Sequence, residues 1–209
     1  MDHDDFDINE QFSCGVCGTP VHGLYLAAQK GHAGVIEVLL TSKGLNVDQT
    51  LSDGSTALFI AAQEGHAGVI KTLLKDGRVN VNHRLNDGST ALFIAAQECH
   101  FDVVKMLLGW GADEKLEWRY SRFFSKSPLT MAKDQKGECS RSDSAKRSEY
   151  DRIIMLLQEQ RSQPWKRRKI SQPEHIKPIE AAKEPPVSID MSTLRVKIDM
   201  PSSQDGSKK

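Results

Sequence analysis

The sequence predicts an all-α solenoid of about four helix-turn-helix repeats flanked by disordered tails, and three observations carry that prediction. A 13-residue stretch, DGSTALFIAAQEG at Asp53–Gly65, returns 34 positions on as DGSTALFIAAQEC at Asp87–Cys99. A weaker copy lies one step earlier in the same register: Leu24, Ala27, Ala28, Gln29, Gly31 and His32 match Leu58, Ala61, Ala62, Gln63, Gly65 and His66. Each copy is followed by a block such as Val69, Ile70, Leu73 and Leu74, spaced i, i+1, i+4, i+5, which forms one broad apolar stripe on a helix. A unit of this size cannot bury such a stripe alone, so the units must stack on one another.

In chain order, residues 1–18 come first, with Asp2, Asp4, Asp5, Asp7 and Glu10 and no Lys or Arg, and read as an acidic disordered N-terminus. Residues 19–52 form a first, worn unit that lacks an Asp-Gly turn. Residues 53–86 are the second unit. Asp53-Gly54 supplies a turn, Thr56 stands where a helix N-cap belongs, and Gly65 fits the left-handed position that ends the inner helix. Val69 to Leu74 make the outer helix, which Gly77 closes. Residues 87–120 repeat this with Asp87-Gly88 and Thr90. A fourth, degenerate unit over 121–160 starts at Ser127-Pro128-Leu129, a capping residue followed by proline at the first helical position. Its outer helix is expected around Ile153, Leu156 and Leu157, and the polar run from Asp134 to Tyr150 is expected to be an inserted loop or a disordered lengthening of the turn. Residues 161–209 are rich in Pro, Ser, Lys and Gln and read as a disordered tail.

From Thr19 to Tyr120 these residues resemble the ankyrin repeat, whose pattern runs roughly D-G-x-T-P-L-H-x-A-A-x-x-G-H and then V-V-x-x-L-L-x-x-G-A-D. There are departures. Ala57 and Ala91 stand in the place of the family's proline and Phe59 and Phe93 in that of its histidine, so the family's Thr and His network cannot form as such. Cys99 replaces the glycine that ends the inner helix, at a cost of about 1–2 kcal/mol for a side chain in the left-handed region.

The resemblance implies a non-catalytic adaptor that binds a partner protein through a concave surface of fingers and inner helices. Carried over position by position, its contacts would be Thr50, Ser52, Ser55, Gln63 and Glu64 in the second unit, and Arg84, Asn86, Ser89, Gln97 and Glu98 in the third. In the last finger Trp118, Arg119 and Tyr120 are residue types enriched at binding hot spots. Trp118 has an equal alternative role as a cover for the end of the core. A second functional reading is a nuclear regulatory cofactor in transcription or chromatin. A third is a zinc- or redox-active protein using Cys14 and Cys17, which have the spacing of half a zinc knuckle but no second half in the sequence.

Composition narrows the field. Acidic and basic residues balance at 28 each, so no overall field draws the chain to nucleic acid or an anionic membrane. No apolar run approaches the ~20 residues of a membrane-spanning helix, and the acidic start is unlike a signal peptide. The four cysteines are too few and too uneven for a disulfide framework. His32, His66 and His100 follow the repeat period, and no nucleophile, base and acid are arranged for catalysis. The expectation is a cytoplasmic or nuclear monomer with no cofactor. In the tail, Lys166, Arg167, Arg168 and Lys169 resemble a short basic nuclear-import signal read by an import receptor. Lys197, in Val-Lys-Ile-Asp, matches a modifier-conjugation pattern.

Overall fold

The computed structural model describes residues 8–13, 20–119, 124–140 and 142–162. Among them are eight helices and two short hairpins. Strands β1 (Gln11–Ser13) and β2 (Pro20–His22) pair antiparallel, with Gln11 opposite His22. The helices come in four pairs: α1 (Gly23–Gln29) with α2 (Ala33–Leu40), α3 (Ala57–Gln63) with α4 (Ala67–Asp76), α5 (Ala91–Gln97) with α6 (Phe101–Gly109), and α7 (Pro128–Glu138) with α8 (Ser144–Ser162). Between the third and fourth pairs, β3 (Trp118–Arg119) meets β4 (Ser125–Lys126). The shorter helices α1, α3, α5 and α7 pack in one row and α2, α4, α6 and α8 in another, which makes an all-α stack of four units.

Side-chain caps set the starts of α3, α5 and α7. The amide of Phe59 donates to Thr56 Oγ1 at 3.3 Å, that of Phe93 to Thr90 Oγ1 at 3.2 Å, and that of Thr130 to Ser127 Oγ at 3.3 Å. Each bond satisfies a backbone donor that a helix N-terminus otherwise leaves open. Pro128 occupies the first turn of α7, as its sequence position implies. His22 stands in the N-cap position of α1 without capping it, and its Nδ1 is buried with no hydrogen-bond partner.

The core runs through all four units, from Leu24 and Ile36 to Ile153 and Leu157. Paired alanines at the centres of the inner helices, such as Ala61, Ala62, Ala95 and Ala96, are fully buried and let neighbouring backbones approach. Gly31 and Gly65 end the inner helices at φ 75°, and Cys99 takes the same conformation at φ 67° despite its side chain. A second reason for glycine there is the next unit. A Cβ on Gly65 would lie 2.6 Å from His100 Cε1, and one on Gly31 would lie 2.9 Å from His66 Cε1.

Those imidazoles tie the units together. His66 Nε2 donates to the carbonyl of Gln29 at 3.0 Å, and His100 Nε2 to that of Gln63 at 2.9 Å, the carbonyl fixing which nitrogen carries the proton. At the next junction the equivalent carbonyl, Gln97, accepts from the hydroxyl of Tyr150 at 2.7 Å. The Gly–His pair of the earlier junctions is thus replaced by Cys99 and Tyr150. Burial pushes the Tyr150 hydroxyl well above its ordinary pKa, with the nearby Cys99 adding to the effect. Burial likewise raises the Cys99 thiol, to about 11, so this cysteine is held as the neutral thiol.

The expected inserted loop is not there. From Asp134 to Glu138 the chain remains in α7, and from Ser144 it is already in α8, so only a short turn separates the two helices. The run is polar because most of it faces solvent: α8 buries only Tyr150, Ile153 and Leu157 along one side. Nor is the whole N-terminal stretch without structure, since residues 8–13 contain a turn and β1. There Asn9 Oδ1 accepts the amide of Asn46 at 2.8 Å. Asp48 does the same for the amide of Asn80, and Asn82 for that of Asp113, so Asn9 holds the place of a preceding finger.

Candidate interaction face

The fingers between units are built from side chains that close turns and backbone groups that link neighbours. Asp53 Oδ1 accepts both the amide of Ser55 at 2.9 Å and its hydroxyl at 2.6 Å, and Asp87 Oδ1 accepts the same two bonds from Ser89 at 2.9 and 2.6 Å. These are Asx-type turns, and they orient the chain entering α3 and α5. The amide of Asn86 then donates to the carbonyl of Asp53 at 3.1 Å, and that of Arg119 to the carbonyl of Asp87 at 3.2 Å. Successive fingers are therefore joined edge to edge.

This geometry separates the residues expected to contact a partner into two groups. Ser55 and Ser89 are only 2% and 4% exposed, so they hold the turns and offer no contact surface. The sequence pattern alone does not distinguish a turn-closing serine from an exposed one; the Asp two residues earlier is the signal that does. Thr50, Ser52, Gln63, Glu64, Arg84, Asn86, Glu98 and Arg119 are exposed, and Gln97 is half-buried. Several are anchored on their inner side. The Asn86 side-chain amide donates to the Ser52 carbonyl at 2.9 Å, and Arg84 Nη2 donates to the Glu117 carbonyl at 2.9 Å. At the end of α5, Gln97 Nε2 donates to Glu98 Oε1 at 3.2 Å.

Trp118 is partly buried. Its ring packs on Phe93 with centroids 5.5 Å apart, and its Nε1–H donates to Asp87 Oδ2 at 2.8 Å. Trp118 therefore has a structural role in the third finger. Asp87 collects several donors as a result. Partial burial pushes its carboxyl pKa up, but the bonds from Ser89 and Trp118 outweigh that and leave it below the ordinary value. In the first unit Tyr25 stands at the position of Phe59 and Phe93, and burial raises its phenol despite a bond to Ser55.

Tyr120, Cys14, Cys17, the run Lys166, Arg167, Arg168 and Lys169, and Lys197 lie outside the described residues. Among the described residues no group of three His, Cys, Asp or Glu side chains is placed to hold a metal ion, and no helix is long and apolar enough to cross a membrane.

Comparison with known proteins agrees with the geometry. Residues 24–117 match, in three copies, the family model of ankyrin repeats. No curated protein matches the chain.

Proposed function

Because residues 24–117 are ankyrin repeats, a protein-interaction module, we propose that this chain is a non-catalytic adaptor that holds a partner protein on its fingers and inner-helix ends. One observation carries the reading. Gln63-Glu64 and Gln97-Glu98 place the same polar pair at the same position in adjoining units, all exposed except the half-buried Gln97, while the backbone behind them is already bonded within the stack. Side chains there meet a partner on a framework whose backbone is already bonded, which lowers the ordering cost of association. Arg84, Asn86 and Arg119 extend the face onto the fingers.

Affinity capture with the wild-type chain beside an Arg84→Ala, Gln97→Ala, Glu98→Ala variant of equal helicity tests this. Partners retained by the first and lost by the second support the assignment, and identical capture by both refutes it.

A nuclear address for the adaptor is supported by the basic run Lys166 to Lys169. Replacing these four residues with alanine is expected to shift a fluorescent fusion toward the cytoplasm. An unchanged distribution would remove the proposal, and with it the main support for a role in transcription or chromatin.

A further inference from the structure

The third unit carries a cysteine where the two units before it have glycine. Cys99 ends α5 at φ 67° and is the only residue other than glycine with a positive φ among the described residues. Gly31 and Gly65 take that conformation without strain, whereas a side chain makes it costly. The thiol recovers little by hydrogen bonding, since Sγ makes only a weak donation to the Lys146 carbonyl at 3.7 Å. A strained residue that the turn does not demand points to a role of its own.

Cys139 lies at the same junction. It is the first residue beyond α7, in extended conformation at φ −65° and ψ 130°, and is half-buried. Arg147 of α8 ties it down, with Nη1 donating to the Cys139 carbonyl at 3.1 Å. Cys139 borders a cavity of about 280 Å³ together with Gln135, Glu138, Lys146 and Tyr150. From the other side, the Cys99 sulfur reaches the Lys146 carbonyl, and the Tyr150 hydroxyl binds Gln97. Helices α5 and α7, which pack on each other, thus bring both thiols to the beginning of α8. They also act on each other through charge. Burial does most to raise the Cys99 thiol and Glu149 comes next, with Cys139 contributing in the same direction.

We propose that Cys99 and Cys139 are a redox pair: a small-molecule disulfide such as oxidised glutathione joins them in a bond that locks the fourth unit onto the third, and a thiol reductant releases it. Cys139, the more exposed of the two, reacts first. Its thiolate attacks one sulfur of the small disulfide, the S–S bond there breaks, and the thiolate released takes up a proton. The Cys99 thiol then gives its proton to water, its sulfur bonds to that of Cys139, and the second small thiolate leaves and is protonated. Two protein thiols lose two electrons and two protons, and the oxidant gains them as two small thiols. Cys99 needs access only to Cys139, so its burial is no obstacle.

A disulfide holds its Cα atoms about 4.4–6.8 Å apart, a spacing that the extended segment starting at Cys139 sets while both helices stay intact. The bond is not a folding staple, because α7 and α8 already dock through the core and through Tyr150 with both thiols free. Gln97 and Glu98 directly precede Cys99, so the lock stiffens the third unit's part of the interaction face. That consequence rests on the adaptor reading above; the disulfide itself does not.

Incubation of the full chain with oxidised glutathione, alkylation of the remaining thiols and peptide mapping by mass spectrometry test the pair, with hydrogen exchange as a second readout. The expected result is a Cys99–Cys139 cross-link that dithiothreitol removes, with exchange of the α7 and α8 amides slowed about thirtyfold in the oxidised protein. Cys139→Ser should lose both the cross-link and the slowing. Cys99→Gly should lose them too and, with the strain gone, be at least as stable as wild type under reducing conditions. A Cys14→Ser, Cys17→Ser variant should behave as wild type. Cys99 recovered as a free alkylated thiol after exhaustive oxidation, a link from either residue to Cys14 or Cys17, or a Cys99–Cys139 link that leaves exchange in α7 and α8 unchanged would each overturn the proposal.

Discussion

Tyr150→Phe isolates the bond that docks the fourth unit. The substitution removes one hydroxyl, leaves the ring and its packing in place, and strips the Gln97 carbonyl of its donor at 2.7 Å. The ring is 1% exposed, so water does not readily replace the lost group. A neutral hydrogen bond contributes about 0.5–1.5 kcal/mol, and an unsatisfied buried acceptor costs about 1–3 kcal/mol. An expected loss of about 1–1.5 kcal/mol follows from the overlap. In a stack stability is a sum of unit and neighbour terms, so the loss should fall on α7 and α8 first. Urea unfolding followed by circular dichroism should show a lower midpoint, and hydrogen exchange should show faster opening of α7 and α8 with α3 and α4 unaffected. A midpoint unchanged within error, with no change in exchange, would refute the idea that the carbonyl ladder holds the last unit.

Three further outcomes follow from the same structure. Gly65→Ala should destabilise by about 2–4 kcal/mol in chemical denaturation, combining a strained positive φ with a forced shift of the His100 ring; a change below about 0.5 kcal/mol would contradict the close approach. His22→Thr should stabilise by about 1 kcal/mol, because a threonine hydroxyl can cap α1 as Thr56 caps α3 and the unpartnered Nδ1 is removed; a lower melting temperature would show that the His22 Nε2 bond to the Thr50 carbonyl matters more. Asp87 has a folded-state pKa below the ordinary 3.8. Its contribution to stability is therefore present above that pH and is lost as pH falls through the folded value. Trp118 fluorescence should change in acid below about pH 4, and the change should vanish in Asp87→Asn.

The parts of this fold that are local in the chain are readable from the residues. Thr56, Thr90 and Ser127 announce helix starts, Gly65 and Gly77 announce ends, and the 34-residue period arranges the units. What is not readable depends on partners far away in sequence. Nothing near Tyr150 says that its hydroxyl meets Gln97, and without that contact the polar run from Asp134 to Tyr150 looks like a loop instead of the ends of two helices. The candidate face divides in the same way. Its exposed positions follow from the period, whereas the burial of Ser55 and Ser89 follows from aspartates that a pattern of contact positions ignores. Trp118 could be placed only once its ring was seen against Phe93.

The ladder of carbonyls also has a direction in time. Each rung is closed by a donor that lies later in the chain: Gln29 waits for His66, Gln63 for His100, and Gln97 for Tyr150. During synthesis a unit therefore leaves the ribosome with its acceptor open and is completed only when its successor emerges. For the last rung the wait is 53 residues, or about 3–10 seconds at ordinary elongation rates. A chain that stops between Gln97 and Tyr150 ends on an unclosed rung, so such an incomplete product carries a marked weakness at its C-terminal end, where a protease or chaperone would meet it.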